Sequence, residues 1–293
     1  MIALCGGLLA FTSPALGADD PFRLPPGASL PRSEPQVFSG PSTGLIQQVD
    51  PSALTGTHFV TLDDVPGGSS PGTNYDEIVT SGGMGFAERF LGQTLSYNGV
   101  FDVLSGAGSG PLTLQVGAPG QNVDVLTDIF ANNVISGLGP LGYPVLDAIG
   151  EGALAMLFPF RISQVGFDVF GIDGGGSLTI TFFRRDGSRI DVITLPTVAG
   201  ADTIRLAFER VDPINDIAGL TIENDDPAGL GYGNIQFGTS PVRSVPTLSV
   251  WAVALLVVVL SLIAAVRLRA GLQSVTHQAG TRPSPLRGSA PLR

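Results

Sequence analysis

Apolar residues fall in short alternating runs along most of this chain and in one long unbroken run near its end. The alternation is clearest after Gly150. Ala153 to Phe160 is continuously apolar, Val165, Phe167 and Val169 take every second position, and so do Leu178, Ile180 and Phe182. Arg185-Asp186-Gly187-Ser188 supplies a turn before Ile190, Val192 and Thr194. Ile204, Leu206 and Phe208 follow, then Leu220 and Ile222, then Ile235 and Phe237. Period two sends successive side chains to opposite faces of a strand, and the Asp-Gly, Asp-Pro and Gly-Gly pairs between runs are turn formers. The pattern predicts an all-β body, an antiparallel β-sandwich whose inward β-branched and aromatic residues close a core between two sheets. Earlier, His58 to Leu62 and Leu112 to Val116 read as strands, with a Gly/Ser/Pro loop from Asp63 to Asn74. A helix is considered around Val145 to Ala155, where Gly150 and Gly152 weaken it.

The unbroken run is different in kind. Leu248 to Val266 carries no charge and only Ser249 and Ser261 as polar side chains. At ~1.5 Å per residue a helix over it spans roughly 28 Å, the thickness of a bilayer core. A helix apolar on every face suits lipid, since a helix on a globular surface shows a polar side. The expectation is one C-terminal transmembrane helix over residues 248–266. Arg267 and Arg269 follow it, which leaves the carboxyl end in the cytoplasm and everything before Val245 outside.

Charge divides along the same line. All 25 acidic residues precede position 244 together with ten of the fifteen arginines, leaving −15 there and +5 beyond. So acidic a body repels nucleic acid and anionic lipid, which argues against a nucleic-acid partner. The basic residues are all arginine, and without lysine there is neither a Walker-type phosphate loop nor Schiff-base chemistry. Met1 to Ala18 reads as a secretory signal: Ile2 to Phe11 is apolar, and Ala15 and Gly17 are the small residues for cleavage after Gly17. It lacks a basic start, so the initiator is expected upstream. The single cysteine, Cys5, lies inside this segment, and the mature protein is expected to have no disulfide or thiolate chemistry.

Val245-Pro246-Thr247-Leu248-Ser249, then Trp251, an apolar span and the arginines Arg267 and Arg269, resemble the IPTL-CTERM signal, a variant of the PEP-CTERM sorting tails of Gram-negative surface proteins. The resemblance implies processing near Pro246 by an exosortase-type membrane transpeptidase. Val245 stands where Ile is usual, Val250 where Glu is usual, and residues 270–293 run past the arginines that normally end such a signal. The expected organisation is a signal peptide (1–18), a Pro/Gly-rich extended lead (19–55), a β-sandwich ectodomain (56–239), sorting motif plus helix (240–269), and an Arg/Pro-containing disordered tail (270–293).

The body carries a second resemblance. Leu62-Asp63-Asp64-Val65-Pro66, Phe182 to Ser188, Ile217 to Asn224, and Gly229 to Ile235 resemble the jelly-roll-like ectodomain of PEP-CTERM proteins. That likeness implies that opening and closing strands lie together, so Asp63, Asp64 and Asn234 are first candidates for a structural calcium. Gly233 replaces the acid usual before the closing strand's apolar residues. Calcium takes oxygens from Asp and Asn in loops, although both are also ordinary turn formers.

Two enzyme motifs and a lone histidine fail as catalytic sites. Gly68-Ser69-Ser70-Pro71-Gly72 satisfies G-x-S-x-G, but Pro71 lacks the N–H the oxyanion needs, and His58 precedes the serine. Gly137 to Gly142 matches G-x-G-x-x-G, but Pro140 and Pro144 spoil the required helix. His58 itself reads as a strand residue beside Phe59 and Val60. No catalytic residue is assigned. Tyr75, Tyr97, Tyr143 and Tyr232 read as loop residues, and the ectodomain has no Trp for sugar stacking. The function expected is a non-catalytic surface or matrix protein that binds extracellular polysaccharide or mediates adhesion. A carboxylate-dependent secreted hydrolase and an uncleaved single-pass structural protein are the alternatives.

Overall fold

In the computed structural model, residues 44–127, 132–172, 175–198, 203–212, 214–240, 255, 257–265 and 267 are described. The chain divides into two compact units, Met1–Val242 and Arg243–Arg293. In the first unit, β1 (Ile46–Gln48), β2 (His58–Val60), β3 (Thr73–Tyr75), β4 (Val79–Ser81), β5 (Met84–Ala87) and β6 (Arg89–Phe90) are short. Next come β7 (Thr94–Asn98), β8 (Phe101–Ser105), β9 (Leu114–Gln115), β10 (Val123–Thr127), β11 (Asn133–Leu138) and β12 (Ile149–Gly152). The long strands are β13 (Leu154–Ile162), β14 (Gln164–Phe170), β15 (Ser177–Phe183), β16 (Arg189–Pro196), β17 (Thr203–Arg210), β18 (Ile217–Asn224) and β19 (Gly231–Gly238).

Apart from β6 to β9, these strands build two antiparallel sheets. The larger runs β1-β17-β14-β19-β11-β10-β3, with β2 also on β19 and β12 on β11, and the smaller runs β16-β15-β18-β13-β5-β4. Within them, β11-β19-β14-β17 and β13-β18-β15-β16 follow jelly-roll connectivity, the strands being β11 and then β13 to β19 in chain order. The core lies between the sheets. Val165, Phe167, Phe208, Tyr232 and Phe237 enter it from the large sheet, and Met156, Phe158, Ile180, Phe182 and Leu220 from the small one. Every alternating run read from the sequence after Gly150 is a strand of this sandwich.

Ala153 to Phe158 is apolar throughout because this part of its strand is covered twice, while Pro159 and Phe160 are exposed. Leu154, Met156 and Phe158 face the core, while Ala155 and Leu157 face a second cluster with Ala87, Phe90, Leu112, Leu114, Phe183 and Ala218. That cluster is roofed by the excursion between β5 and β10, which holds two small sheets, β6-β9 and β7-β8. Hydrogen bonds pin the excursion to the β15–β16 turn: Leu112 N donates to Arg185 O (2.7 Å) and Gly108 N to Gly187 O (3.1 Å).

Four expectations change. The Val145–Ala155 helix reduces to a 3-10 turn over Leu146–Ala148, because the residues after it are drawn into β12 and β13. Leu112 to Val116 keeps only β9. Asp63 to Asn74 is a loop that closes into β3. The sandwich also begins before residue 56, since β1, inside the stretch read as an extended lead, pairs with β17 and buries Ile46. In the second unit residues 255, 257–265 and 267 are helical. Among the described residues no helix is long and apolar enough to cross a membrane. The expected span over 248–266 is only partly within the described residues.

Candidate functional site

The outward positions of the large sheet's middle strands hold a connected polar strip. Val165, Phe167 and Val169 point inward on β14, so Asp168 points out; by the same alternation Arg205 leaves β17 outward and Gln236 leaves β19. Arg205 reaches across β14 to β19. Its Nη1 donates to Asp168 Oδ1 (2.8 Å) and to the Asn234 carbonyl (3.1 Å), and its Nη2 to Gln236 Oε1 (3.1 Å). Asn234 Nδ2 donates to the other Asp168 oxygen (2.8 Å). A register shift between Gly166 and Asp168 bulges β19 here, and Asn234 takes φ +48, a conformation asparagine tolerates. Phe59, paired with Gln236 across strands, flanks the strip with 63% of its surface exposed. The strip thus offers amides, a carboxylate, a guanidinium and one bare ring.

A second polar group lies beneath the β7-β8 hairpin. Asp102 Oδ2 accepts from Ala153 N (3.0 Å), and Glu223 Oε2 accepts from Leu104 N (2.8 Å), so the hairpin is clipped to the β12–β13 junction and to β18 through two carboxylates. Burial pushes the Asp102 carboxyl up to about 6. Burial also raises Glu223, with Asp102 adding like charge. Glu151 on β12 goes further, to about 8, because burial is joined by repulsion from Asp226 and Asp147. A carboxyl raised to about 8, as Glu151 is, holds its proton at neutral pH, the property required of a general acid. Asp102 and Glu151 are nevertheless buried, which keeps them from a substrate.

The residues singled out in the sequence are dispersed. Opening and closing strands do lie together, β2 on β19. Of the expected calcium residues Asp63, Asp64 and Asn234, Asp64 accepts from the Ser81 hydroxyl and Asn234 donates to Asp168. Among the described residues no group of three or more His, Cys, Asp or Glu converges to hold a metal. His58 spends its ring on packing, 4.8 Å from Phe160 and 5.3 Å from Phe237 between centroids. The Gly68–Gly72 loop is a turn, with Gly72 N donating to Ser69 O. Of the four tyrosines, Tyr232 is in the core, Tyr75 lies on β3, Tyr143 donates to Gly72 O and Tyr97 stands exposed on the hairpin. Ala15, Gly17, Val245, Pro246, Thr247, Leu248, Ser249, Trp251 and Arg269 lie outside the described residues; Arg267 is helical and exposed.

Sequence reasoning missed Asp168, Arg205 and Gln236. Each sits between two inward apolar residues, and that outward position was the available signal.

Solved structures overlap the chain loosely, among them two carbohydrate-binding modules and one tailspike domain. TmCBM61 in complex with β-1,4-galactotriose is 11% identical, covers 40% of this chain and 81% of its own, and gives a TM-score of 0.28. A mutant of a family 29 carbohydrate-binding module is 13% identical over 60% of this chain and 94% of its own, TM-score 0.28. The enzymatically active domain of bacteriophage CBA120 tailspike protein 4 is 18% identical over 42% of this chain and 18% of its own, TM-score 0.27. Overlaps this loose transfer neither fold nor ligand. No curated protein matches the chain. The family described as the IPTL-CTERM motif matches residues 243–270, so the chain carries a sorting motif of PEP-CTERM type.

Proposed function

We propose that this chain is an exported bacterial surface protein: an acidic, non-catalytic β-sandwich delivered outside the cytoplasm, held by residues 248–266 and processed near Pro246 by an exosortase-type transpeptidase. The observation that carries the reading is the IPTL-CTERM match at 243–270. The helical residues of the second unit support it, since Leu255, Val257, Leu260, Leu262 and Ile263 all stand exposed. Water penalises such a surface and lipid accepts it. Ser261 does not spoil the segment, because its hydroxyl donates to the Val257 carbonyl one turn back.

The body's role in this proposal is adhesion to, or association with, extracellular polysaccharide through the strip Phe59-Gln236-Arg205-Asp168-Asn234. Sugar hydroxyls pair with amides and carboxylates, and the C–H face of a sugar ring lies on an aromatic. Arg205 is neutralised by Asp168, and the rest of the body is acidic, so a neutral glycan suits the strip better than a polyanion. Retention of the folded protein on immobilised neutral polysaccharide is the test. Phe59→Ala is expected to weaken retention by about tenfold, the loss of one stacked ring. Equal retention of wild type and variant removes the strip from the proposal, and no retention on any glycan removes the binding role.

A carboxylate-dependent hydrolase is the second reading, favoured by the raised carboxyls of Asp102, Glu151 and Glu223 and requiring the β7-β8 hairpin above them to lift and admit a substrate. It requires turnover of a polysaccharide that disappears in Glu151→Gln; unchanged turnover, or none in wild type, dismisses it.

A further inference from the structure

On the large sheet a row of side chains crosses β3, β10 and β11. Asp124 pairs with Asn74 on one side and with Ser136 on the other. Cross-strand partners share a face, with Cβ atoms about 5 Å apart. Val123 and Val125 on either side of Asp124 enter the core, so the row belongs to the outer face, yet Asp124 and Ser136 are fully buried. The cover is the loop before β3. Gly68 N donates to Val125 O (3.2 Å), Thr127 N to Gly68 O (2.7 Å), and the Tyr143 hydroxyl to Gly72 O (3.2 Å). Gly72 takes φ +89, and a Cβ there would stand 2.5 Å from Asp124 Oδ2, so only glycine lets the loop close this tightly over the carboxylate.

Both carboxylate oxygens of Asp124, the amide oxygen of Asn74 and the hydroxyl of Ser136 are buried without a hydrogen-bond partner. A buried carboxylate calls for a donor or a cation, and neither the Ser136 hydroxyl nor the Asn74 amide donates to it. Those oxygens come from register partners on three adjacent strands, yet none bonds to another. Oxygens ringed around a cation have that relation, because each sits about 2.4 Å from the ion and points its lone pairs at it rather than at a neighbour. The set is all oxygen, with one negative charge, which suits a hard ion and disfavours zinc or copper.

We infer that Asn74, Asp124 and Ser136 form a calcium site, in which Asp124 supplies the charge, Asn74 and Ser136 supply neutral oxygens, and water completes the shell. Asn74 lies on the edge strand and is only partly buried, which gives the ion its way in. The bound ion ties β3 and the loop before it to β10 and β11. The site is separate from Asp63, Asp64 and Asn234, and it stands whether or not the body binds polysaccharide.

Thermal unfolding of the full chain in calcium and in chelator tests this at neutral pH. Wild type is expected to melt roughly 5–10 °C higher with calcium at a hundredfold excess over its dissociation constant. Asp124→Asn, nearly isosteric, is expected to lose the shift, and Asp64→Asn to keep it. Should Asp124→Asn fail to fold, calorimetric titration of calcium into Ser136→Ala replaces it, with binding expected about tenfold weaker than wild type. Identical wild-type melts with and without calcium overturn the site. So does a shift that survives Asp124→Asn, unaltered affinity in Ser136→Ala, or a shift abolished by Asp64→Asn.

Discussion

Glu151 is 4% exposed and faces the charge of Asp226 and Asp147, so its carboxyl rises from an ordinary 4.5 to about 8. A carboxyl raised in the fold stabilises it while protonated. That contribution is full below the unfolded value and is lost as pH climbs through the folded one. For Glu151 the window runs from 4.5 to about 8, and for Asp102 from 3.8 to about 6. The melting temperature is therefore expected to fall with rising pH across those windows. Glu151→Gln, neutral at every pH, should flatten the upper part of the decline and melt higher than wild type above pH 8 by on the order of 5 °C. A pH profile indistinguishable from wild type contradicts the assignment. Residues such as these were invisible in the sequence for a physical reason. Alternation says which side chains leave the core, but cross-strand register decides which neighbours they meet, and Asp168 met Arg205, Asn234 and Gln236 only once β14, β17 and β19 were placed side by side.

Among the elements, β13 shows what periodicity conceals. A strand buried on both faces loses its alternation and reads like a helix or a core segment, and only its length and turn-rich surroundings argue for a strand. The roof over it was the least legible part of the fold. Its strands are short, and its apolar residues answer to a second cluster rather than to the main core. Phe90 anchors that roof, edge-on to Phe183 at 5.4 Å between centroids. It lies where Gly219 leaves the sheet bare, for a Cβ at 219 would stand 2.6 Å from the Phe90 ring and 2.8 Å from the Met156 carbonyl. Phe90→Ala is expected to cost about 3–5 kcal/mol in urea unfolding and to open residues 91–117 to proteolysis before the sandwich itself is cut. Proteolysis that begins in the long strands instead would show that roof and sandwich fail as one body.

For the whole molecule, the antiparallel sandwich of the long strands was foreshadowed by turn chemistry and alternation, and its jelly-roll character by the resemblance to PEP-CTERM ectodomains, while β1 lay hidden in a proline-rich lead. Turns and periods are local properties, which is why they survive in a bare sequence; the excursion between β5 and β10 depends on long-range packing and does not. The sorting motif is legible for the same local reason, as a proline-containing pentapeptide beside an apolar run closed by arginines. In the proposed function this tail delivers the acidic body outside the cytoplasm and is then removed. Mass spectrometry of both termini of the protein recovered from its native cells tests this most directly. The expected product begins after Gly17 and ends near Pro246, in a surface or extracellular fraction; an intact chain running through Arg293 in the cytosol would contradict it.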